Sequence, residues 1–101
     1  MSAAKGVLWS PEAEQDLLDI WLYTAEHASP DTADEQLHLV DSVCDQIAEW
    51  PETGRARDEL LFGLRSIVAG TYVVFYRVYS RQLQIVRVLH GRRDIDAIFS
   101  L

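Results

Sequence analysis

The chain has 101 residues, 49% of them hydrophobic, which is enough for one domain with a modest core and too little for two. A formal net charge of -7 argues against non-specific nucleic-acid binding by the whole surface, since such binding relies on excess Lys and Arg to neutralise phosphates. A single cysteine excludes an internal disulfide, and no apolar run approaches the roughly eighteen residues of a membrane span. We therefore expect one cytoplasmic domain over residues 1–101 with no membrane association.

The first half of the chain predicts a short extended element at residues 7–9 followed by two helices. Ser10 with Pro11, and Ser29 with Pro30, are helix start signals, because serine caps the first turn and proline suits the first helical position. Apolar residues then recur every three or four positions in both segments, as on one side of an amphipathic helix. The pattern predicts helices over about 11–28 and 30–50, joined as a helical hairpin.

The second half predicts strands. Runs rich in Val, Ile, Leu, Tyr and Phe occupy residues 59–68, 71–79 and 83–89, after a loop at residues 51–58. The connections between the runs are short enough for tight hairpins, and residues 94–101 form either one helical turn or an ordered tail. The predicted fold is α+β, in the order β-α-α-β-β-β, with a helical hairpin packed on one face of an antiparallel sheet.

The middle strand is apolar on both of its faces, which indicates that both faces are covered. Tyr72, Val74 and Tyr76 fall on one side of the alternating pattern, while Val73 and Phe75 fall on the other. The two helices supply cover for one face, and only the short C-terminal tail remains for the other. We therefore expect a sheet surface that a partner covers.

Charge is distributed unevenly along the sequence. Residues 1–54 carry twelve acidic residues and one lysine, a net of -11, whereas residues 55–101 carry eight arginines and four acidic residues, a net of +4. Residues 60–93 contain six arginines and no acidic residue. Arginine among apolar strand residues needs an anion, a carboxylate or carbonyl groups nearby.

The arginines divide into two groups by the role that we expect for them. Arg77 and Arg81 are assigned to pairing with the acidic residues of the helices or to solvent. Alternation places Arg87 on one face with Ile85 and Leu89. An intermolecular role is weighed against internal pairing for four arginines, namely Arg65, Arg87, Arg92 and Arg93. The last two follow His90 and Gly91, and this His-Gly-Arg-Arg sequence forms a compact group of hydrogen-bond donors at the end of a strand.

Signatures of an enzyme or a cofactor site are scarce in the sequence. His27, His38 and His90 lie in three different elements, without the spacing of metal ligands. The glycines are isolated, so no glycine-rich phosphate loop is predicted, and no serine sits in a nucleophile-elbow pattern. The sequence therefore predicts no metal, no cofactor and no catalytic residue.

Several segments together resemble the ParE branch of the RelE/ParE superfamily, the toxins of bacterial type II toxin–antitoxin pairs. They are SPEAEQDLLDIWLY at 10–23, PETGR at 51–55, GLR at 63–65, TYVVFYRV at 71–78 and, as the most specific, IVRVLHGRRDI at 85–95. The resemblance implies a toxin that acts on DNA gyrase and is neutralised by a ParD-like antitoxin within a hetero-oligomer such as a heterotetramer. Its expected partner-binding residues are Arg65, Tyr72, Tyr76, Arg87, His90, Arg92 and Arg93.

Two other functions remain open within the same superfamily. The first is a RelE-like, ribosome-dependent mRNA endonuclease, which relies on basic residues and a tyrosine. An alignment on Tyr72 and Gly91 puts Val73 where RelE-like enzymes place a catalytic arginine and Phe99 where they place a terminal tyrosine, and it retains Arg93. Because valine and phenylalanine stand at two of these positions, a gyrase inhibitor is favoured over a nuclease. We expect this inhibitor to have no catalytic centre and no sequence-specific nucleic-acid binding of its own. The second alternative is a non-toxic domain that only binds its antitoxin.

Overall fold

A computed structural model describes residues 7–100 and confirms the helical hairpin. Helix α1 spans Pro11–His27 and α2 spans Pro30–Glu49. Both serine caps form as expected, with the Oγ of Ser10 accepting from the Ala13 amide and the Oγ of Ser29 accepting from the Thr32 amide. No helix within residues 7–100 combines the length and hydrophobicity needed to cross a bilayer.

The sheet has five strands and is mixed, whereas the sequence predicted an antiparallel sheet. In chain order the strands are β1 (Val7–Trp9), β2 (Arg55–Ala56), β3 (Arg65–Ala69), β4 (Tyr72–Tyr79) and β5 (Gln82–His90), and their spatial order is β1-β5-β4-β3-β2. β1 pairs parallel with β5, and the other neighbours pair antiparallel. Most of the chain lies between β1 and β5, so a long crossover is available for parallel pairing. β2 was missed because it is two residues long and polar.

The predicted strand at 59–68 begins only at Arg65, because the residues before it form a turn-rich loop. Asp58 accepts a hydrogen bond from the Gly63 amide at 2.8 Å through its carboxylate, and Gly63 adopts a φ of 81°, which favours glycine. Leu60 and Leu64 of this loop pack over the sheet instead of extending it, whereas Phe62 is 88% exposed. The last element, α3, spans Ile95–Phe99, which is the helical-turn form of the predicted tail.

The two faces of the sheet bury two separate apolar clusters. The inner face, against α1 and α2, holds the larger cluster, in which Ile47, Val74, Tyr76 and Ile85 have no exposed surface. The outer face holds a smaller cluster, whose buried members are Leu64, Phe75 and Leu89. Residues of the 57–64 loop and α3 cover this smaller cluster. The expectation of a largely uncovered outer face is thus wrong at the centre of the sheet, although Val68 and Tyr79 of its strands are 66% and 63% exposed.

A β-bulge in β5 changes which residues share a face. Phe75 pairs with Arg87, but the next residue, Tyr76, pairs with Ile85, so that Val86 is an extra residue in the ladder. Ile85 consequently lies in the inner cluster and Leu89 in the outer one. The predicted placement of Arg87 on one face with both of them is therefore wrong.

Burial makes the Cys44 thiol unreactive in the folded protein. Desolvation, reinforced by Asp41 and Asp45, raises its pKa from 9.0 to about 12. We expect a disulfide reagent at pH 8 to modify Cys44 only after denaturation, in an absorbance assay with and without urea. Because the unfolded thiol ionises first, stability should also decline as the pH rises above 9. Rapid modification of the native protein would contradict this placement.

Candidate functional site

The strand end at His90 brings together four of the seven expected partner-binding residues. Tyr72 and His90 are cross-strand neighbours, and their rings meet edge to face with centroids 5.4 Å apart. The turn that follows is held by two hydrogen bonds, in which the Arg93 amide donates to the His90 carbonyl at 2.9 Å and the Arg92 amide donates to His90 Nδ1 at 3.1 Å. The backbone thereby fixes the start of both arginine side chains. We call Tyr72, His90, Arg92 and Arg93 the His90 end.

A cleft of about 410 Å³ separates the His90 end from helix α1. Its α1 wall carries two carboxylates and a tyrosine, its opposite wall carries aromatic and cationic groups, and its floor is apolar. The lining residues are Asp16, Asp19, Ile20, Tyr23, Tyr72, Val88, Leu89, His90 and Arg93. This mixture of an apolar floor with charged walls suits a side chain of a protein partner that carries both apolar and polar atoms.

The guanidinium groups of Arg92 and Arg93 are the free cations of this site. Both residues are exposed, and neither has a carboxylate within salt-bridge distance among residues 7–100. Arginine pairs readily with carboxylate or phosphate through two parallel hydrogen bonds. The His90 end therefore presents anion-binding groups to a partner.

Arg87 has an internal partner instead, on helix α1. Its Nε and Nη2 donate to the two carboxylate oxygens of Asp16, both at 2.8 Å, and the Val88 amide donates to the same carboxylate at 2.9 Å. Hydrogen bonding to Asp16 raises the pKa of Arg87. The predicted intermolecular contact would have to compete with this bidentate pair, so the structure assigns Arg87 to holding α1 against β5.

The sequence did not identify Asp16 as the partner of Arg87. Asp16 stands one turn before the buried Ile20 and thus on the side of α1 that faces the sheet. An acidic residue on an apolar stripe signals a buried cationic partner, and that signal was present in the sequence.

Arg65 and Tyr76 lie away from the His90 end and hold the PETGR segment. Arg65 Nη1 donates to the Gly54 carbonyl at 2.7 Å. The Tyr76 hydroxyl donates to the Pro51 carbonyl at 2.7 Å and accepts from the Gly54 amide at 2.8 Å. Burial raises the pKa of Tyr76, and the whole residue is enclosed. A partner therefore has no surface of Tyr76 to contact, and the motif has a structural explanation.

Removing the Tyr76 hydroxyl should destabilise the fold. In Tyr76→Phe the Gly54 amide and the Pro51 carbonyl lose their shared partner, which we expect to cost roughly 1–3 kcal/mol of unfolding free energy in a urea titration. Tyr79→Phe serves as the control, because that hydroxyl lies on an exposed side chain and its loss should cost less than about 0.5 kcal/mol. Equal losses in the two variants would contradict the proposed anchoring of Pro51 and Gly54.

The outer face near α3 is apolar where a RelE-like enzyme would carry its arginine and tyrosine. Val73 and Phe99 both pack against the outer cluster, and the Phe99 ring lies 5.0 Å from that of Phe75. Neither side chain transfers a proton or stabilises a phosphorane. Among residues 7–100, no group of three His, Cys, Asp or Glu side chains is placed to hold a metal ion.

The chain matches a family model and several curated relatives over most of its length. The family model described as "ParE toxin of type II toxin-antitoxin system, parDE" matches residues 7–95. "Toxin ParE1" of Mycobacterium tuberculosis is 39% identical over 88% of this chain and 92% of the relative, and "Toxin ParE1" of Caulobacter vibrioides is 37% identical over 87% and 91%. A solved structure titled "Chromosomal ParDE TA system from P. aeruginosa" shares the fold, with a TM-score of 0.74 at 19% identity over 88% of this chain and 98% of that one.

Proposed function

Because this chain belongs to the ParE toxin family of type II toxin–antitoxin systems, we propose that it inhibits DNA gyrase in the cytoplasm and that a ParD-like antitoxin neutralises it. Membership in the family is what carries this proposal. The inhibition is by binding, without a catalytic centre of this chain's own. The His90 end is the surface that engages the target.

The properties of the His90 end support a binding role. Its two arginines have no internal carboxylate partner among residues 7–100, and Arg93 lines a cleft with an apolar floor. Exposed charges cost little to keep in water, but they pair strongly once a partner excludes that water. These residues therefore contribute little to folding and much to complex formation.

The exposed side of α1 supports an antitoxin-binding role. Leu18, Leu22 and Tyr23 are each more than half exposed on this helix, and Leu39 of α2 is 41% exposed. A disordered antitoxin segment would bury such apolar side chains as it becomes ordered on the toxin. An acidic segment would also be attracted by the arginine-rich C-terminal half of the chain. The complex would then be a hetero-oligomer in which the antitoxin binds the toxin.

The apolar outer cluster distinguishes this proposal from an mRNA endonuclease. The sequence alignment retains Arg93 from RelE-like enzymes, but it puts Val73 and Phe99 at their other two positions, and both pack in the outer cluster. Valine and phenylalanine at those two positions neither stabilise a phosphorane nor transfer a proton, which disfavours the RelE-like mechanism. Nothing in this cluster indicates that toxicity has been lost. A non-toxic domain that only binds its antitoxin is therefore less well supported than a toxin.

Expression in a bacterial host separates the three functions. We expect growth to stop when the chain is expressed alone, chromosomal breaks to accumulate, and growth to resume when the protein encoded by the neighbouring reading frame is co-expressed. Message cut within the ribosomal decoding site, without chromosomal breaks, would show an endonuclease instead. Unaffected growth, with the folded protein present in the cells, would show a domain that only binds its antitoxin.

A further inference from the structure

The turn between β4 and β5 has an unusual backbone for the residues that it contains. Ser80 and Arg81 both lie in the left-handed region, with φ values of 51° and 65°. Two-residue hairpin turns of this kind favour Asn and Gly at these positions. Strain of this sort is found where neighbouring side chains are used for binding.

Cationic and aromatic groups cluster beside this turn. The Arg77 guanidinium carbon lies 5.9 Å from the centroid of the Tyr79 ring, and Arg77 Nε donates to the Gln84 side-chain carbonyl at 3.0 Å. Tyr79 is 63% exposed, and Arg81 is exposed at the tip. No acidic residue occurs between residues 60 and 93. Arg77 is thus held in place by a neutral amide, so its positive charge is not neutralised within the hairpin.

A shallow cleft continues from these groups along the sheet. It measures about 290 Å³, and its lining includes Leu8, Arg77, Gln84 and Val86. The cleft therefore offers apolar contact, an amide and a guanidinium side by side. Of the residues beside the turn, Arg77 lines this cleft, and Tyr79 follows two positions nearer the turn on the same face of β4.

Guanidinium groups beside an exposed aromatic ring match the chemistry of a nucleic-acid strand. Arginine pairs with phosphate in a bidentate manner, and an exposed ring stacks on a base of any sequence. An acidic peptide would pair with the cations but has no base to stack on the exposed ring. We propose that Arg77, Tyr79 and Arg81 form a site for a single DNA strand, read without sequence preference. The inference rests on the proposed gyrase target, because gyrase is what brings DNA to this chain.

The negative charge of the whole chain explains why the site needs gyrase. A net charge of -7 repels free DNA, and two arginines give only a short run of phosphate contacts. On gyrase, however, the DNA is already bound, and its effective concentration at the hairpin is high. The site therefore adds affinity for gyrase that holds DNA and adds none for gyrase alone.

Binding to gyrase with and without DNA tests the site. Arg81→Glu and Tyr79→Ala alter the hairpin, and Arg55→Glu on the exposed strand β2 is a control with the same change of charge as Arg81→Glu. We expect the unaltered chain to bind gyrase with DNA roughly tenfold tighter than gyrase alone, with a gain that falls as salt rises. The two hairpin variants should lose this gain, and Arg55→Glu should keep it. Thermal melting of every variant excludes unfolding as the cause.

The negative results of this experiment overturn different parts of the proposal. If the unaltered chain binds neither form of gyrase, the proposed target is wrong, and the hairpin inference fails with it. If it binds both forms equally well, or if the hairpin variants keep the gain, gyrase remains the target but the DNA site is overturned. If Arg81→Glu weakens binding to DNA-free gyrase to the same extent, the hairpin contacts protein, and the DNA site is again overturned.

Discussion

The double variant Arg92→Ala with Arg93→Ala should lose toxicity while keeping its fold. Both guanidinium groups are exposed and have no carboxylate partner among residues 7–100, so their removal should change the unfolding free energy by less than about 0.5 kcal/mol. In a complex the same groups become desolvated and paired, and losing two such contacts weakens binding by roughly 10²-fold. Growth after induction and the concentration needed to inhibit gyrase are the measurements.

The exposed arginine of strand β2 provides a matched control for this experiment. Arg55→Ala removes an exposed guanidinium group at the far edge of the sheet from β5, and we expect toxicity to persist. A melting temperature that falls by many degrees in the double variant would show that Arg92 and Arg93 support the fold. Full toxicity in a stable double variant would remove the His90 end from the target contact.

Asp16→Ala should be among the most destabilising single substitutions on the surface of α1. It removes three hydrogen bonds and leaves Arg87, whose side chain is 24% exposed, without its carboxylate. Charged hydrogen bonds contribute about 1.5–3 kcal/mol each, but the partly exposed guanidinium group recovers some hydration. We therefore expect a loss of about 2–4 kcal/mol in a urea titration.

A double-mutant cycle isolates the contribution of the ion pair itself. In a background of Arg87→Met, Asp16→Ala should cost at least about 1 kcal/mol less than it does alone, because the partner is already absent. Asp19→Ala, one turn along α1, serves as a control that leaves the Arg87 pair intact. Additive losses in the cycle would mean that the pairing of Asp16 with the Arg87 guanidinium contributes nothing measurable to stability.

The helices could be predicted closely from sequence because their signals are local. A serine followed by proline marks each start, and the structure places both starts where those pairs stand. The resemblance of the 85–95 segment to ParE toxins is likewise confirmed, because the family model matches residues 7–95.

The remaining features depend on tertiary contacts that periodicity does not reveal. An alternating pattern cannot show an inserted residue, so the bulge at Val86 went unnoticed and Arg87 was given the wrong neighbours. The apolar run before Arg65 has the composition of a strand, but Asp58 and Gly63 bend it into a cover for the outer face. Tyr76 was expected at a partner surface because no sequence rule connects it with Pro51 and Gly54.

Supercoiling of relaxed plasmid by purified gyrase tests the central claim most directly. Titrated into this reaction, the chain should abolish supercoiling and leave linear, gyrase-cleaved DNA, and a stoichiometric amount of its antitoxin should restore supercoiled product. The variant lacking both Arg92 and Arg93 should require a far higher concentration. Undiminished supercoiling, at concentrations of folded protein that stop growth in cells, would contradict the account.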